Sequence, residues 1–495
     1  MRHGSRYASW TLLLSIAFLV VCSVKGAGAA ETCTESLQKQ IDASSSGGVV
    51  YAKACIYREE VTVSKPITLD GGGQAQIRGS DVWAASRFGA LGDGTWKAPG
   101  YPNLPAIVGK CESNTGRCKW PEQVYYDGQP LMQVAPSVTP EGMQFAVNSN
   151  RDLIVGSNPS GHLVEVTVRD GWVVGGKGAG GVTIRGFEMK HSTDRGVDNK
   201  AGSNWTIRDS DLSYAHSSNL LLTGASGLLA LDNKIHHAGQ KGVAGNETDL
   251  RLEGNEIYQN NTEGFDTHWN AGGVKIANPR SVTFAGNTVY GNHGNGLWLD
   301  VPTNDQDIVV KDNRVHHNDG NGIRVEVTTN IEIYGNKVWE NGWPGGGGIT
   351  IGASSDVSVH DNVVAWNENG IRIMNPIRTD KHPDEGYYDY VRNNLVASNT
   401  IVMEDRLASS RALAWLKQWS GGNLYNSGAD NRGLDNRYYY PKPEALTKRY
   451  QWTGKYSGLD AFNATPGEER GAYMTTSEKD SALQQAGMPT LPEPH

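Results

Sequence analysis

The sequence predicts an all-β fold: a right-handed parallel β-helix with three short strands per coil and an inserted small antiparallel β-domain. Three observations point there. First, between about residues 182 and 403 the pattern aliphatic-x-aliphatic-x-x-Asn-x-aliphatic recurs, its asparagine falling at Asn233, Asn255, Asn287, Asn313, Asn336, Asn362 and Asn399. Second, the steps are 22, 23 or 26 residues, with 32 and 37 where loops are inserted; a period of this size marks a solenoid, whose core is closed only by stacking one repeat on the next. Third, apolar residues alternate within each repeat (Val282 and Phe284, Ile308 and Val310, Leu297 and Leu299, Ile323 and Val325), and a period of two is that of a strand burying one face. β-branched residues dominate and a leucine consensus is missing, which argues against a leucine-rich repeat. Ser210 and Phe187 hold the asparagine's place in the earlier coils, and the asparagine itself is expected at a bend, hydrogen-bonded to its counterpart in the neighbouring coil.

Residues 1–29 read as a signal peptide. Arg2 and Arg6 precede an apolar run, and Ala27-Gly28-Ala29 suits cleavage after small residues. The run is short for a membrane span, so a secreted or periplasmic protein is expected, with no membrane attachment after cleavage. Residues 30–78 supply a cap and the first coil: the amphipathic stretch 37–41 covers the open end, and Val61, Val63, Ile67 and Leu69 begin the strands. Residues 79–178 break the period. They hold Trp83, Trp96, Trp120 and Trp172 and alternating segments such as Gln-Val-Tyr-Tyr-Asp-Gly at 123–128, and are read as the inserted β-domain. Residues 179–405 form the solenoid and 406–495 an irregular C-terminal cap, with the loop 376–389 rimming a cleft.

Composition narrows the function. The formal charge is −8, and losing Arg2, Arg6 and Lys25 with the signal peptide, −8 less three, leaves about −11. That argues against a general nucleic-acid or polyanion binder. Four cysteines remain, Cys33, Cys55, Cys111 and Cys118; an even number in an exported chain implies two disulfides. Three pairings are open, Cys33–Cys55 with Cys111–Cys118 being the local one. Asn204, Asn246, Asn260 and Asn463 begin glycosylation sequons. No zinc spacing, nucleotide-binding glycine motif or serine elbow is present.

The chemistry lies in the strands that follow each turn glycine. Aligned, their first outward column reads Lys275, Trp298, Arg324, Thr350, Arg372, and their second Ala277, Asp300, Glu326, Gly352, Met374. Asp300 and Glu326 therefore fall side by side on adjacent strands, about 4.8 Å apart in the backbone. Two carboxylates so placed suit sugar chemistry, one as acid and one as base or nucleophile. Lys275 and Arg324 are expected to tune the pair. The insertion 262–270 leads directly into Lys275 and brings His268 and Trp269 to the same face. Lys275, Trp298, Arg324, His268, Trp269 and Arg372 are accordingly expected to contact substrate, with Trp298 as a stacking platform. The pairs His236/His237 and His316/His317 lie away from this column and read as structural.

The segments Gly-Leu-Trp-Leu-Asp-Val at 296–301 and Gly-Ile-Arg-Val-Glu-Val at 322–327 resemble the site of the β-helix β-xylosidases of glycoside hydrolase family 120, within the wider pectate-lyase-like carbohydrate-active enzymes. The resemblance implies Asp300 as nucleophile and Glu326 as acid/base. It does not carry the substrate across. Three functions are thus expected in order: a glycosidase acting on a poly- or oligosaccharide as a monomer without cofactor; a polysaccharide lyase or uronate epimerase, using Lys275 or Arg324 as base and possible calcium; and a non-catalytic carbohydrate-binding solenoid.

Overall fold

The computed structural model describes residues 31–246, 248–300, 307–342, 345–375, 391–404, 416–418, 428–441, 450–451, 455–456, 458–465 and 467–493. The expected signal peptide and the expected rim loop 376–389 lie outside the described residues. The described chain winds into three columns of parallel strands, one strand per column in each coil. The long strands Ile67–Arg78 and Val182–Ser192 serve two columns at once, pairing with each other on both sides of a register shift between Arg185 and Phe187. Gly186 makes that bend at φ +69°, a conformation that costs glycine little. The third column has 11 strands, from Val61–Val63 and Val173–Gly175 to Ile371–Asn375 and Leu416–Gln418. The alternation read from sequence is obeyed: Val282, Phe284, Ile308, Val310, Leu297, Leu299, Ile323 and Val325 are all buried in one continuous core.

The asparagines form the ladder that their period implies. Asn313 Oδ1 accepts from Asn287 N and Nδ2 at 3.0 and 2.9 Å, and Asn313 Nδ2 donates to Phe284 O and Asn336 Oδ1, each at 2.9 Å. The same step runs from Ser210, whose N–H donates to Asn233 Oδ1 at 3.1 Å, onward to Asn436. There it ends on buried Glu468, which accepts from Asn436 Nδ2 at 3.1 Å. Each rung turns a buried amide from a liability into a tie between coils. A second ladder runs beside the first through Asn260, Asn292, Asn318, Asn341 and Asn367. Asn260 is 1% exposed within it, so that sequon has no room for a glycan in the folded protein.

Two boundaries move. Val173–Gly175 pairs with Val61–Val63 and Val197–Asp198, so the solenoid resumes before residue 178. Trp172 belongs to the solenoid core, its indole donating to Lys190 O at 3.0 Å. At the other end, Arg432–Leu434 and Arg437–Tyr439 continue two columns beyond residue 405. Asn436 follows Asn399 by 37 residues, the same step as from Asn362 to Asn399. A helix, Thr476–Gln485, then packs with Met474 and Leu483 over Trp339, Trp366 and Tyr439, while helix Leu37–Ala43 closes the opposite end with Leu37 and Ile41.

The insertion folds as two small sheets around Trp83, Tyr101, Tyr126, Phe145 and Val155. It is pinned to the solenoid by Glu165, fully buried, between Arg58 at 2.8 Å and Arg78 at 2.7 Å. Tyr125 stacks on His191 at 3.7 Å, and burial pushes that imidazole down to about 3. The disulfides are Cys33–Cys55 and Cys111–Cys118. His236, Tyr258, Tyr290, His316 and Trp339 stack ring on ring along an outer face, 4.1 to 5.1 Å apart, so His236 and His316 are structural. Among the described residues, no helix is long and apolar enough to cross a membrane.

Candidate active site

Strands Gly272–Ala277, Asn295–Asp300 and Ile323–Glu326 are consecutive in the third column. Lys275 pairs with Trp298 and Trp298 with Arg324, while Ala277 pairs with Asp300 and Asp300 with Glu326. Leu297, Leu299, Ile323 and Val325 point into the core, which turns the intervening Trp298, Asp300, Arg324 and Glu326 outward. The glycines ahead of these strands are there for close approach. A Cβ on Gly296 would sit 2.7 Å from Gly322 O, and one on Gly322 would sit 2.8 Å from Gly348 O.

Each carboxylate has its own cation. Lys275 Nζ lies 2.8 Å from Asp300 Oδ2, and Arg324 Nη2 lies 2.8 Å from Glu326 Oε2. These are not surface pairs: the side chains are 10%, 16%, 22% and 8% exposed in that order. Burial lowers the Lys275 pKa, and Asp300 only partly restores it. Withdrawing two ion pairs from water costs several kcal/mol per ion, which ordinary surface charge does not incur.

Trp298 departs from expectation. It is 2% exposed and lies beneath two cations, with Lys275 Nζ 3.5 Å and Arg324 Cζ 4.5 Å from its ring centroid. The neighbouring coils supply these cations from either side, which leaves no open face for a sugar to stack on; the ring is a cation–π floor. Its indole Nε1 and Asp300 Oδ1 are buried and, among the described residues, have no hydrogen-bond partner. A donor and an acceptor are thus left for whatever occupies the site.

The other expected residues divide. Trp269 O accepts from Lys275 Nζ at 2.7 Å, so the loop 262–270 reaches the site through its backbone, while the Trp269 ring is 37% exposed. The His268 side chain is 93% exposed and faces Asp266 at 3.7 Å. Arg372, 8% exposed, reaches back over a coil to Asn321 Oδ1 at 2.8 Å and Thr350 Oγ1 at 3.1 Å, and burial pushes it down to about 10. It braces the downstream edge of the column.

One residue escaped the sequence reading. Lys241, 6% exposed, lies one coil before Lys275, its ammonium donating to Gln240 Oε1 at 3.1 Å. Burial and the charge of Lys275 bring it down to about 7. It stands opposite Gly272, outside the two outward columns, which place Ala244 and Asn246 in that coil, so the column alignment does not reach it.

The chain matches the family model described as a right handed beta helix region over residues 158–271 and 195–364. No curated protein matches it. A solved structure described as the complex of XylC with xylose superposes with a TM-score of 0.59 at 13% identity, covering 82% of this chain and 80% of that chain. The Azotobacter vinelandii mannuronan C-5 epimerase AlgE4 A-module gives 0.44 at 14%, covering 83% and 93%. A structure described as a glycoside hydrolase gives 0.42 at 8%, covering 76% and 88%. The matched model and the first of these likenesses establish the fold as a right-handed parallel β-helix.

Proposed function

We propose that the protein is an exported glycosidase that cleaves an oligo- or polysaccharide with retention of configuration, through Asp300 and Glu326. One observation carries the reading: two outward carboxylates in direct register on adjacent strands, each held by its own cation under near-complete cover. Neighbouring strands lie about 4.8 Å apart, and retaining enzymes place their carboxyl groups about 5–5.5 Å apart, too close to admit a water between the second carboxylate and the anomeric carbon. Asp300 attacks the anomeric carbon as the bond to the leaving oxygen breaks. Glu326 gives that oxygen its proton, then takes one from the water that releases the glycosyl-enzyme. Lys275 neutralises the nucleophile between turnovers, and Arg324 stabilises the Glu326 carboxylate after it has given up its proton. Trp298 Nε1 and Asp300 Oδ1 are placed to meet a sugar hydroxyl.

The relative with xylose in its described complex makes pentosides the first probe. A panel of aryl glycosides and oligosaccharides tests the reading, with Glu326→Ala as control. That variant is expected to lose about 10³-fold on poor leaving groups while azide partly restores turnover of activated ones. Undiminished activity in Glu326→Ala would end the assignment.

Lys241 supports a second reading. A buried amine near neutrality beside Lys275 suits proton abstraction next to a uronate carboxyl, the chemistry of a lyase or epimerase. Unsaturated, ultraviolet-absorbing products from uronate polymers, lost with Lys241→Met, would favour it over hydrolysis.

A further inference from the structure

A cleft of about 270 Å³ lies between the inserted domain and the solenoid, lined among others by Gln123, Gln133, Met132, Tyr214, His237 and Glu122. It is separate from the carboxylate pair. Tyr214 and His237 precede strands Ser218–Thr223 and Lys241–Asn246, three and two coils before the Asp300 strand, or about 10–15 Å along the axis. Glu263, on the loop that leads into Lys275, stands at the same cleft.

Its chemistry is specific. Gln123 and Gln133 are each 8% exposed. Gln123 Oε1 accepts from Tyr125 OH at 3.0 Å, and Gln133 Nε2 donates to Glu122 Oε2 at 3.2 Å. The remaining amide atoms, Gln123 Nε2 and Gln133 Oε1, make no hydrogen bond among the described residues. Neither atom is fully buried, so a donor and an acceptor without protein partners stand open to one cavity. The charges cancel: Glu122 pairs with Arg151 at 2.7 Å and Glu263 with Arg117 at 3.1 Å. Burial, with His236 beside it, brings His237 down to about 4 and keeps it neutral. Phe145 and Met132 add apolar surface.

A cleft with no net charge that offers donors, acceptors and rings together suits an uncharged polyhydroxylated ring. We infer that this cleft is a remote subsite holding one neutral sugar unit of a chain whose other end reaches Asp300 and Glu326. The inference rests on the glycosidase reading for the second half of that statement only. It makes the inserted domain part of substrate recognition, selecting for chain length.

The test is calorimetric binding of xylobiose and xylohexaose, with the matching cello- and manno-oligosaccharides, to the full chain carrying Glu326→Gln. The hexaose of one series is expected to bind about tenfold tighter than its biose. Gln133→Ala, which removes the acceptor, and Met132→Trp, which fills the cleft from an exposed position, should each abolish that gain. Both should leave turnover of a short aryl glycoside unchanged in the otherwise unaltered protein. Equal binding of biose and hexaose, or a gain that survives both variants, overturns the subsite while the aryl glycosidase activity stands. A Gln133-dependent gain without any glycoside turnover keeps the subsite and removes the hydrolase. Binding of no oligosaccharide in any series overturns the subsite.

Discussion

The Lys275 ammonium lies 2.8 Å from the Asp300 carboxylate and 3.5 Å above the ring of Trp298. One cation thus joins an ion pair to an aromatic floor, and Arg324 repeats the arrangement from the other side with Glu326. A layer of this kind holds two carboxylates in fixed positions. It also makes the three central side chains, Lys275, Trp298 and Arg324, interdependent.

Lys275→Met leaves Asp300 without its cation in a largely desolvated place. Loss of roughly 3 kcal/mol in stability is expected, as for one half of a buried pair, read from the urea midpoint. Lys275→Arg should recover most of it. A midpoint unchanged in Lys275→Met would mean that the pair is as weak as a surface bridge.

Trp298→Phe keeps a ring beneath the cations and removes only the indole donor. Stability should fall by less than about 2 kcal/mol, whereas Trp298→Ala should cost about 3–5 kcal/mol through cavity formation. If Nε1 meets a sugar hydroxyl, Trp298→Phe also raises KM or lowers kcat/KM about tenfold. Unaltered kinetics would remove the indole from substrate recognition.

Asn313→Ala removes two acceptor contacts and two donor contacts from the middle of the first ladder. With buried groups left unsatisfied on both neighbouring coils, a loss of about 2–4 kcal/mol is expected, measured by thermal or denaturant unfolding. A change below 1 kcal/mol would show that the ladder follows the stacking without reinforcing it.

Glu468, where that ladder ends, gives a pH dependence. Burial raises it from 4.5 to about 7 in the folded chain. Between those values the folded state holds a proton that the unfolded state has released. Stability from this group is therefore complete below about 4.5 and is lost as pH rises through about 7. Glu468→Gln should flatten that slope and raise stability near pH 8. A slope identical in the variant would place its origin elsewhere.

The repeat, the register and the two outward columns were legible because a strand with one buried face announces itself by alternation, and because the glycines mark a common origin for each strand. The cover over Trp298 was not, since it depends on where two long cationic side chains fold rather than on the order of residues. Arg372 likewise reads as a free outward charge until Asn321 and Thr350 are seen beneath it. The last coil was legible too, since Asn436 repeats the 37-residue step already read from Asn362 to Asn399. The second ladder was also present in plain view: Asn260, Asn292, Asn318, Asn341 and Asn367 each follow a first-ladder asparagine by five residues.

Gly296 and Gly322 have a wider meaning than their size suggests. Their missing methyl groups would collide with the next turn's carbonyl oxygens, so the backbone layers approach there more closely than any larger residue would allow. An alanine at either place would wedge those layers apart just upstream of residues 300 and 326. The proposed chemistry would thus be sensitive to substitution at two positions that never touch a reactant, because they hold the strands that carry the two carboxylates.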